Sequence, residues 1–230
     1  MSENDLVPIN FQNLAKEVQE IPSGWDAETG FRIVLQIIPY VGGALEKILF
    51  ANKDKKEKKQ LAYFIYLLAV QLEKIDKNKL DESYLESDEF YVLIKRTFEK
   101  IRFEAQQEKI LLFRNFILNS ALKKTNSRVD FSKEYMLNKL DNLTLEHFQI
   151  LDWYFKNNLL NAPKNNSESQ KKKQTELPKI SKHWEVYEID LASAGLFSRE
   201  SGARFSLNPV YWPSELGKQF YHFIQYAEDN

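Results

Sequence analysis

The chain of 230 residues carries a net charge of −1, contains no cysteine, and has only 7 glycines and 7 prolines. The lack of cysteine excludes disulfides, thiolate nucleophiles and cysteine-bound metal sites, and the near-zero charge gives no global attraction to nucleic acid or to an anionic surface. A composition that is 43% hydrophobic and 13% aromatic, with so few turn residues, favours a helical protein with a well-filled core.

The sequence of the first third of the chain predicts helices separated by a turn at residues 39–43, which we call the elbow. The N-terminal residues lack the basic-then-apolar order of a signal peptide, which indicates a cytoplasmic protein. A helix is expected to start at about Ala27 and to break at Pro39. Gly42 and Gly43 then let the chain turn, and a lysine-rich run at 53–59 opens the next helix.

This elbow can be interpreted in three ways. A phosphate loop is excluded because Gly43 is followed by Ala44 and not by Lys and Ser or Thr, and because helices flank it. The uncharged runs 33–45 and 61–72 are each shorter than the ~20 apolar residues of a spanning helix. We therefore favour a buried core hairpin in which the proline and the two glycines have structural roles.

The alternative is a membrane-contacting hairpin over residues 31–72. Its apolar runs would then meet lipid, and its lysine run would lie at anionic headgroups, with the location peripheral to the inner face of the membrane. The candidate membrane or anion contacts are Lys53, Lys55, Lys56, Lys58 and Lys59.

The strongest helix signal begins at Ser87. This residue is a good cap, and the two acids that follow it suit the positive end of the helix dipole. Apolar residues then step by three and four from Phe90 to beyond Phe116. The pattern predicts either one long helix or two helices joined near Gln106.

Two asparagines lie one turn apart within this segment. Asn115 and Asn119 share a helix face, and Glu108 and Lys109 precede them on earlier turns. The two amides either tie neighbouring helices together through buried hydrogen bonds or belong to a solvated polar face. Neither interpretation makes them catalytic.

The three histidines do not form a metal-binding pattern. His147 lies on an amphipathic helix that Thr144 is expected to cap, and His183 and His222 are isolated. None has the spacing of a ligand pair, and no cysteine is present to complete a site. We therefore expect structural or surface histidines, no metal and no cofactor.

The last seventy residues combine a polar stretch with a helix–hairpin–helix pattern. Residues 161–176 contain almost nothing that can be buried, so a flexible linker is expected there. A helix from about Lys182 should end at Gly195, a short hairpin should turn at Ser201-Gly202, and a closing helix should start near Pro213. The resulting order of helices and a two-stranded wing is that of a winged helix-turn-helix.

A winged helix raises the possibility of DNA binding, which the charge pattern disfavours. A helix that reads DNA bases needs Arg, Lys, Asn or Gln. The candidate helix has Lys182 but also three acids, which we interpret as a solvated face: Glu185, Glu188 and Asp190. Arg199 and Arg204 on the hairpin are candidate phosphate contacts, but two are few. We favour a protein-interaction module over a DNA reader.

Five stretches occur in an order that resembles a known family pattern: IPYVGGALEKIL, SDEFYVLIKRTFEKIRFEAQQEKILLFRNFILNSAL, LDNLTLEHFQIL, LASAGLF and SELGKQFYHFI. Over about residues 30–227 the chain resembles uncharacterised bacterial proteins with an abortive-infection-alpha-like layout. The matching positions are Glu108, Lys109, Asn115, Asn119, Leu143, Thr144, His147, Ile150, Leu151, Leu216, Gly217 and Phe220. The resemblance implies a helical bacterial protein with a part in phage defence, and it carries over no chemistry.

Taken together, these patterns predict a mainly α fold. Residues 1–127 form a helical bundle, and residues 128–230 form a winged-helix-like α+β unit that contains the linker at 161–176 and a small two-stranded hairpin. No catalytic signature is present, since the chain lacks GxSxG and GxGxxG. The expected function is therefore non-enzymatic, with a protein partner or a second copy of the chain as its target.

Overall fold

The computed structural model describes residue 21 and residues 27–37, 54–123, 131–161, 166–200 and 210–225. Within these ranges the chain forms ten α-helices and one small antiparallel sheet, so the expectation of a mainly α protein is confirmed. The helices are α1 (Ala27–Ile37), α2 (Lys55–Leu72), α3 (Glu82–Leu85), α4 (Asp88–Ile101), α5 (Gln107–Ala121), α6 (Lys133–Asn142), α7 (Leu145–Lys156), α8 (Asn166–Ile180), α9 (Trp184–Ser193) and α10 (Glu215–Ile224). The strands are β1 (Phe197–Arg199) and β2 (Tyr211–Pro213).

The chain divides into two compact units at a different place from the expected 127/128 boundary. The first unit takes the described residues up to Asp141 together with residues 223–225, and the second takes Asn142–His222. Helix α6 belongs to the first unit, and two lysines of that unit bind its end. Lys100 Nζ lies 2.6 Å from Asp141 Oδ2, and Lys109 Nζ donates to the Asp141 carbonyl at 2.7 Å.

In the first unit, α1 packs against α2. Phe31 and Val34 of α1 are buried, and Ile33 and Leu35 are half-buried. On α2 the apolar run is almost wholly in the core, with its most buried members being Leu61, Phe64, Ile65 and Leu68. The described parts of the two apolar runs are therefore packed in a core, whereas the elbow residues Pro39, Gly42 and Gly43, and Lys53, lie outside the described residues.

The long apolar segment after Ser87 forms two helices and not one. The Ser87 hydroxyl accepts from the Phe90 N–H at 3.2 Å and caps α4, as the sequence predicts. Helix α4 ends at Ile101, and the Glu104 carboxylate accepts from the Gln106 N–H at 2.9 Å just before α5 begins. The two helices are buried differently: α4 buries one apolar face, whereas α5 is buried on nearly all sides.

In the second unit, the local stop and start signals lie where the sequence places them. Gly195 adopts φ +79° after α9, a left-handed conformation that glycine reaches without a Cβ penalty. Ser214 Oγ accepts from the Gly217 N–H at 3.0 Å and starts α10. Between them, β1 pairs antiparallel with β2, with Phe197 opposite Pro213. The strand that pairs with β1 is thus residues 211–213. The turn expected at Ser201-Gly202 and the candidate Arg204 lie outside the described residues.

The expectation of a flexible linker at 161–176 is wrong for the described residues of that stretch. Residues 166–180 form α8, and within it Lys173 and Leu177 are buried while Lys171 and Lys172 are exposed. Most residues of this helix are polar, yet Lys173 and Leu177 anchor it, and the whole Lys173 side chain is buried. A count of apolar residues cannot detect such an anchor.

Within the described ranges, no helix combines the length and the apolar character needed to cross a bilayer.

Candidate functional site

The second unit contains a buried ion pair that we call the Lys173 cluster: Lys173, Glu188, Tyr154, Trp184 and Tyr211. Lys173 Nζ lies 2.8 Å from Glu188 Oε1, and the two side chains are only 4% and 3% exposed. The Tyr154 hydroxyl donates to the same carboxylate oxygen. A buried charge is tolerated only when it is paired and hydrogen-bonded, and both conditions are met here.

Three aromatic rings surround the lysine head. Nζ lies 5.3 Å from the ring centroid of Tyr154, 5.5 Å from that of Trp184 and 5.9 Å from that of Tyr211. A cation within about 6 Å of a ring centroid is attracted by the negative charge on the ring face. The cluster therefore holds one ammonium by a carboxylate on one side and π faces on the others.

The environment shifts the pKa values of the acidic groups in this cluster upward. Burial raises the pKa of Glu188, although Lys173 and the Tyr154 hydroxyl act in the opposite direction. Burial, and then the negative charge of Glu188, raise the pKa of Tyr154 well above its usual value. Tyr211 shifts the same way for the same two causes. The phenols thus remain protonated at neutral pH.

Helix α9 presents a different surface to solvent. Two apolar side chains are exposed there, Val186 at 53% and Ile189 at 50%, and the carboxylates of Glu185 and Asp190 flank them. We call these four residues the α9 outer face. The opposite side of the helix carries the buried Glu188, so the three acids expected on one solvated face are divided between two faces by the helical period.

His147 is part of the start of α7. Its Nδ1 accepts from the Thr144 N–H at 3.1 Å and also lies 2.9 Å from Thr144 Oγ1. The Thr144 side chain in turn accepts from the His147 backbone N–H, which completes a capping box. Its Nε2 lies 3.6 Å from Asp190 Oδ2, and its ring packs edge-on against Tyr187 with centroids 4.7 Å apart. The role of this histidine is to cap the helix.

The asparagine pair forms buried and half-buried hydrogen bonds within the first unit. Asn115 Nδ2 donates to the Ile224 carbonyl at 3.1 Å, and Asn119 Nδ2 donates to the carbonyls of Phe223 and Gln225 at 3.0 and 2.9 Å. These acceptors lie in the last turn of α10 and just after it, where a helix has no further N–H groups of its own to bind the carbonyls. Of the two interpretations of the asparagines, the tie between helices is the one the structure has.

One residue that the sequence analysis did not identify, Arg114, supports this tie. Arg114 is buried, and its Nε and Nη2 donate to Asn115 Oδ1 at 3.0 and 2.8 Å, which orients the amide. Lys109, one of the predicted positions, pairs with Glu104 at 3.2 Å, whereas Glu108 is half-buried.

The remaining predicted candidates among the described residues are exposed. Lys55, Lys56, Lys58 and Lys59 lie on the first turns of α2 in the first unit, and Arg199 lies on β1 in the second. Among the described residues, no group of three or more His, Asp or Glu side chains is arranged to hold a metal ion.

The Lys173 cluster left only a faint signal in the sequence. Lys173, Leu177 and Ile180 have the i, i+4, i+7 spacing of one helix face, which would have indicated a helix in place of a linker. No sequence pattern indicated the pairing of Tyr154 with Glu188, because the two residues are 34 positions apart in the chain.

Comparisons of the chain with family models, with curated proteins and with solved structures find no match.

Proposed function

We propose that the protein is a non-enzymatic, cytoplasmic bacterial interaction component with a part in phage defence, and that the α9 outer face is the surface that binds its protein partner. In this proposal the second unit is winged-helix-like: α9 occupies the place of the reading helix, β1 and β2 form the wing, and α10 closes the unit. The supporting observation is the chemistry of that helix. It presents Val186 and Ile189 between two carboxylates, where a DNA reader presents basic and amide groups.

The partner surface follows from this chemistry. Exposed apolar side chains side by side favour burial against another protein, and the flanking carboxylates of Glu185 and Asp190 favour lysine or arginine around the contact. The fitting partner is an amphipathic segment with an apolar stripe and basic edges. The family resemblance supports phage infection as the setting in which this partner is met.

The test is recovery of partners by the full chain from bacterial cells under phage challenge. The double variant Val186→Asp/Ile189→Asp should lose the partner by at least about tenfold, because burying a carboxylate in an apolar contact is unfavourable. Glu185→Lys should weaken recovery and make it less sensitive to salt.

The matched control is Val92→Asp, which changes an exposed valine on α4 in the first unit. This variant should keep the partner. Recovery that is equal for the α9 variant and for wild type, or wild-type chain that recovers no specific partner, would refute the proposal.

A second candidate function, contact with an anionic membrane, is supported by the exposed lysines at the start of α2. Charge reversal of Lys55 and Lys58 should then abolish flotation with liposomes that contain anionic lipid, whereas reversal of the exposed Lys171 and Lys172 on α8 should leave it unchanged. Flotation that is absent in wild type removes this candidate. Duplex DNA retention with a steep salt dependence would instead indicate nucleic-acid binding, with Arg199 as the described candidate contact.

A further inference from the structure

Lys173 is turned inward while its neighbours are not. In the run of three lysines on α8, Lys171 and Lys172 are exposed, whereas the Lys173 ammonium is buried against Glu188. Lysines are seldom buried, because removing the ammonium from water is costly unless a partner compensates. The surroundings of this ammonium must therefore be well suited to a cation.

Those surroundings are built without α8. Tyr154 comes from α7, Trp184 and Glu188 lie one turn apart on α9, and Tyr211 comes from β2. Together they supply three aromatic faces and one carboxylate, and α8 supplies only the ammonium that lies among them. Aromatic faces combined with an anion are the chemistry by which proteins bind alkylammonium groups.

We infer that Tyr154, Trp184, Tyr211 and Glu188 form a binding site for an alkylammonium cation, and that Lys173 occupies it as an intramolecular ligand. Because Lys173 is covalently attached, its effective concentration at the site is high, and a free amine does not displace it from the wild-type chain at millimolar concentration. Removing the side chain beyond Cβ should leave a site for a separate cation of the same shape. The inference does not depend on the proposed partner or on phage defence.

The experiment is a chemical rescue of the Lys173→Ala variant of the full chain. The atoms removed correspond to n-propylammonium, and 1-propanol is its uncharged analogue. We expect Lys173→Ala to lower Tm, and n-propylammonium chloride to restore most of the loss with saturation at about millimolar concentration, since a ligand of so few atoms has limited affinity. Sodium chloride at equal ionic strength and 1-propanol should restore little.

Two variants show whether the rescue occurs at this site. Lys172→Ala, an exposed lysine next along the same helix, should neither lose Tm nor respond to the amine. Adding Glu188→Gln to Lys173→Ala should abolish the preference for n-propylammonium over 1-propanol, because the carboxylate that binds the charge is gone.

If Lys173→Ala does not fold alone, the same pair of additives is compared during refolding, and the readout is the folded fraction. A larger folded fraction with n-propylammonium than with 1-propanol supports the site. Equal rescue by the two additives, or a Lys173→Met variant as stable as wild type, would overturn the inference, because the position would then require volume and not a cation. No rescue by either additive would overturn it as well, because the emptied position would then not bind a separate cation.

Discussion

At the scale of single residues, one carboxylate oxygen of Glu188 connects three buried side chains of the second unit. The oxygen accepts from the Tyr154 hydroxyl and pairs with Lys173 Nζ, and all three side chains are buried. Removing one of the three side chains would leave a buried charge or hydrogen-bonding group of the others without its partner, which is costly in a region of low polarity. The most sensitive probe of this arrangement is the ionisation of Tyr154.

We predict that Tyr154→Phe changes how the stability depends on alkaline pH. The pKa of Tyr154 is raised in the folded chain, so above about pH 10 the unfolded chain loses the phenolic proton first. The unfolded chain then binds fewer protons, and the unfolding free energy of wild type falls as pH rises. The advantage of wild type over Tyr154→Phe should therefore shrink by up to about 1.4 kcal/mol per pH unit above that point.

The measurement is urea unfolding of both chains between about pH 8 and pH 11. Below about pH 9.5 the difference should be constant and should favour wild type by about 1.5–3 kcal/mol, the contribution of one buried hydrogen bond to a charged acceptor. A difference that stays level across the whole range would contradict the buried, hydrogen-bonded phenol.

The asparagine tie leads to a second prediction for single residues. Asn119→Ala removes the donor to two carbonyls at the end of α10 and should lower the unfolding free energy by about 1–3 kcal/mol. Asn142→Ala, at an exposed position at the end of α6, is the matched control and should change it by less than about 0.5 kcal/mol. Equal effects from the two substitutions would show that the amide contributes nothing specific.

At the scale of elements, the helices differ in what determines their ends and their packing. Helices α4 and α10 begin at serines whose hydroxyls bond to backbone N–H groups nearby in the chain. Helix α7 begins in the same local way, but with His147 as the acceptor. Helix α8 is different, since its packing depends on Lys173 and Leu177 meeting residues that other elements supply.

For α7 we expect the capping histidine to be worth a measurable share of stability. His147→Ala removes the acceptor of the Thr144 N–H, and loss of a cap costs about 0.5–2 kcal/mol. His183→Ala is the control, because His183 precedes α9 without a side-chain cap bond and is exposed. Chemical denaturation of both variants at neutral pH checks the prediction, and a His147→Ala chain as stable as His183→Ala would disprove the capping role.

At the scale of the whole molecule, the structural features that could be predicted from the sequence are those that depend on residues close together in the chain. Ser87, Thr144 and Gly195 are recognisable because a cap or a left-handed stop is settled within four or five residues. The mainly helical fold and the small sheet follow from similar local patterns. The burial of Lys173 could not be predicted in this way, because the carboxylate and the three aromatic rings around it lie in other parts of the sequence. A polar run has the same pattern whether or not one of its lysines is buried by such residues. Likewise, the contacts of Asp141 come from lysines that lie 41 and 32 residues earlier in the chain.

The division of the chain also supports a prediction for the molecule as a whole. Removing the residues after His222 deletes the three carbonyls that Asn115 and Asn119 bind and the ring of Phe223 that packs against Phe116. Amide hydrogen exchange in α5 should then accelerate at least about tenfold, reflecting a loss of more than ~1.4 kcal/mol of protection. A chain ending at Gln225 keeps all three carbonyls and is the control, and equal exchange in both would refute the prediction.

The return of residues 223–225 to the first unit has a consequence for biosynthesis. A ribosome delivers the chain from its N-terminus at about 5–20 residues per second, and early domains commonly fold while later ones are still being made. Here the earlier-made unit cannot complete its core until Gln225 has left the exit tunnel, after every residue of the other unit has been translated. Its nascent form therefore spends seconds with the amides of Asn115 and Asn119 lacking their final acceptors, which makes that interval the one in which a chaperone would be most needed.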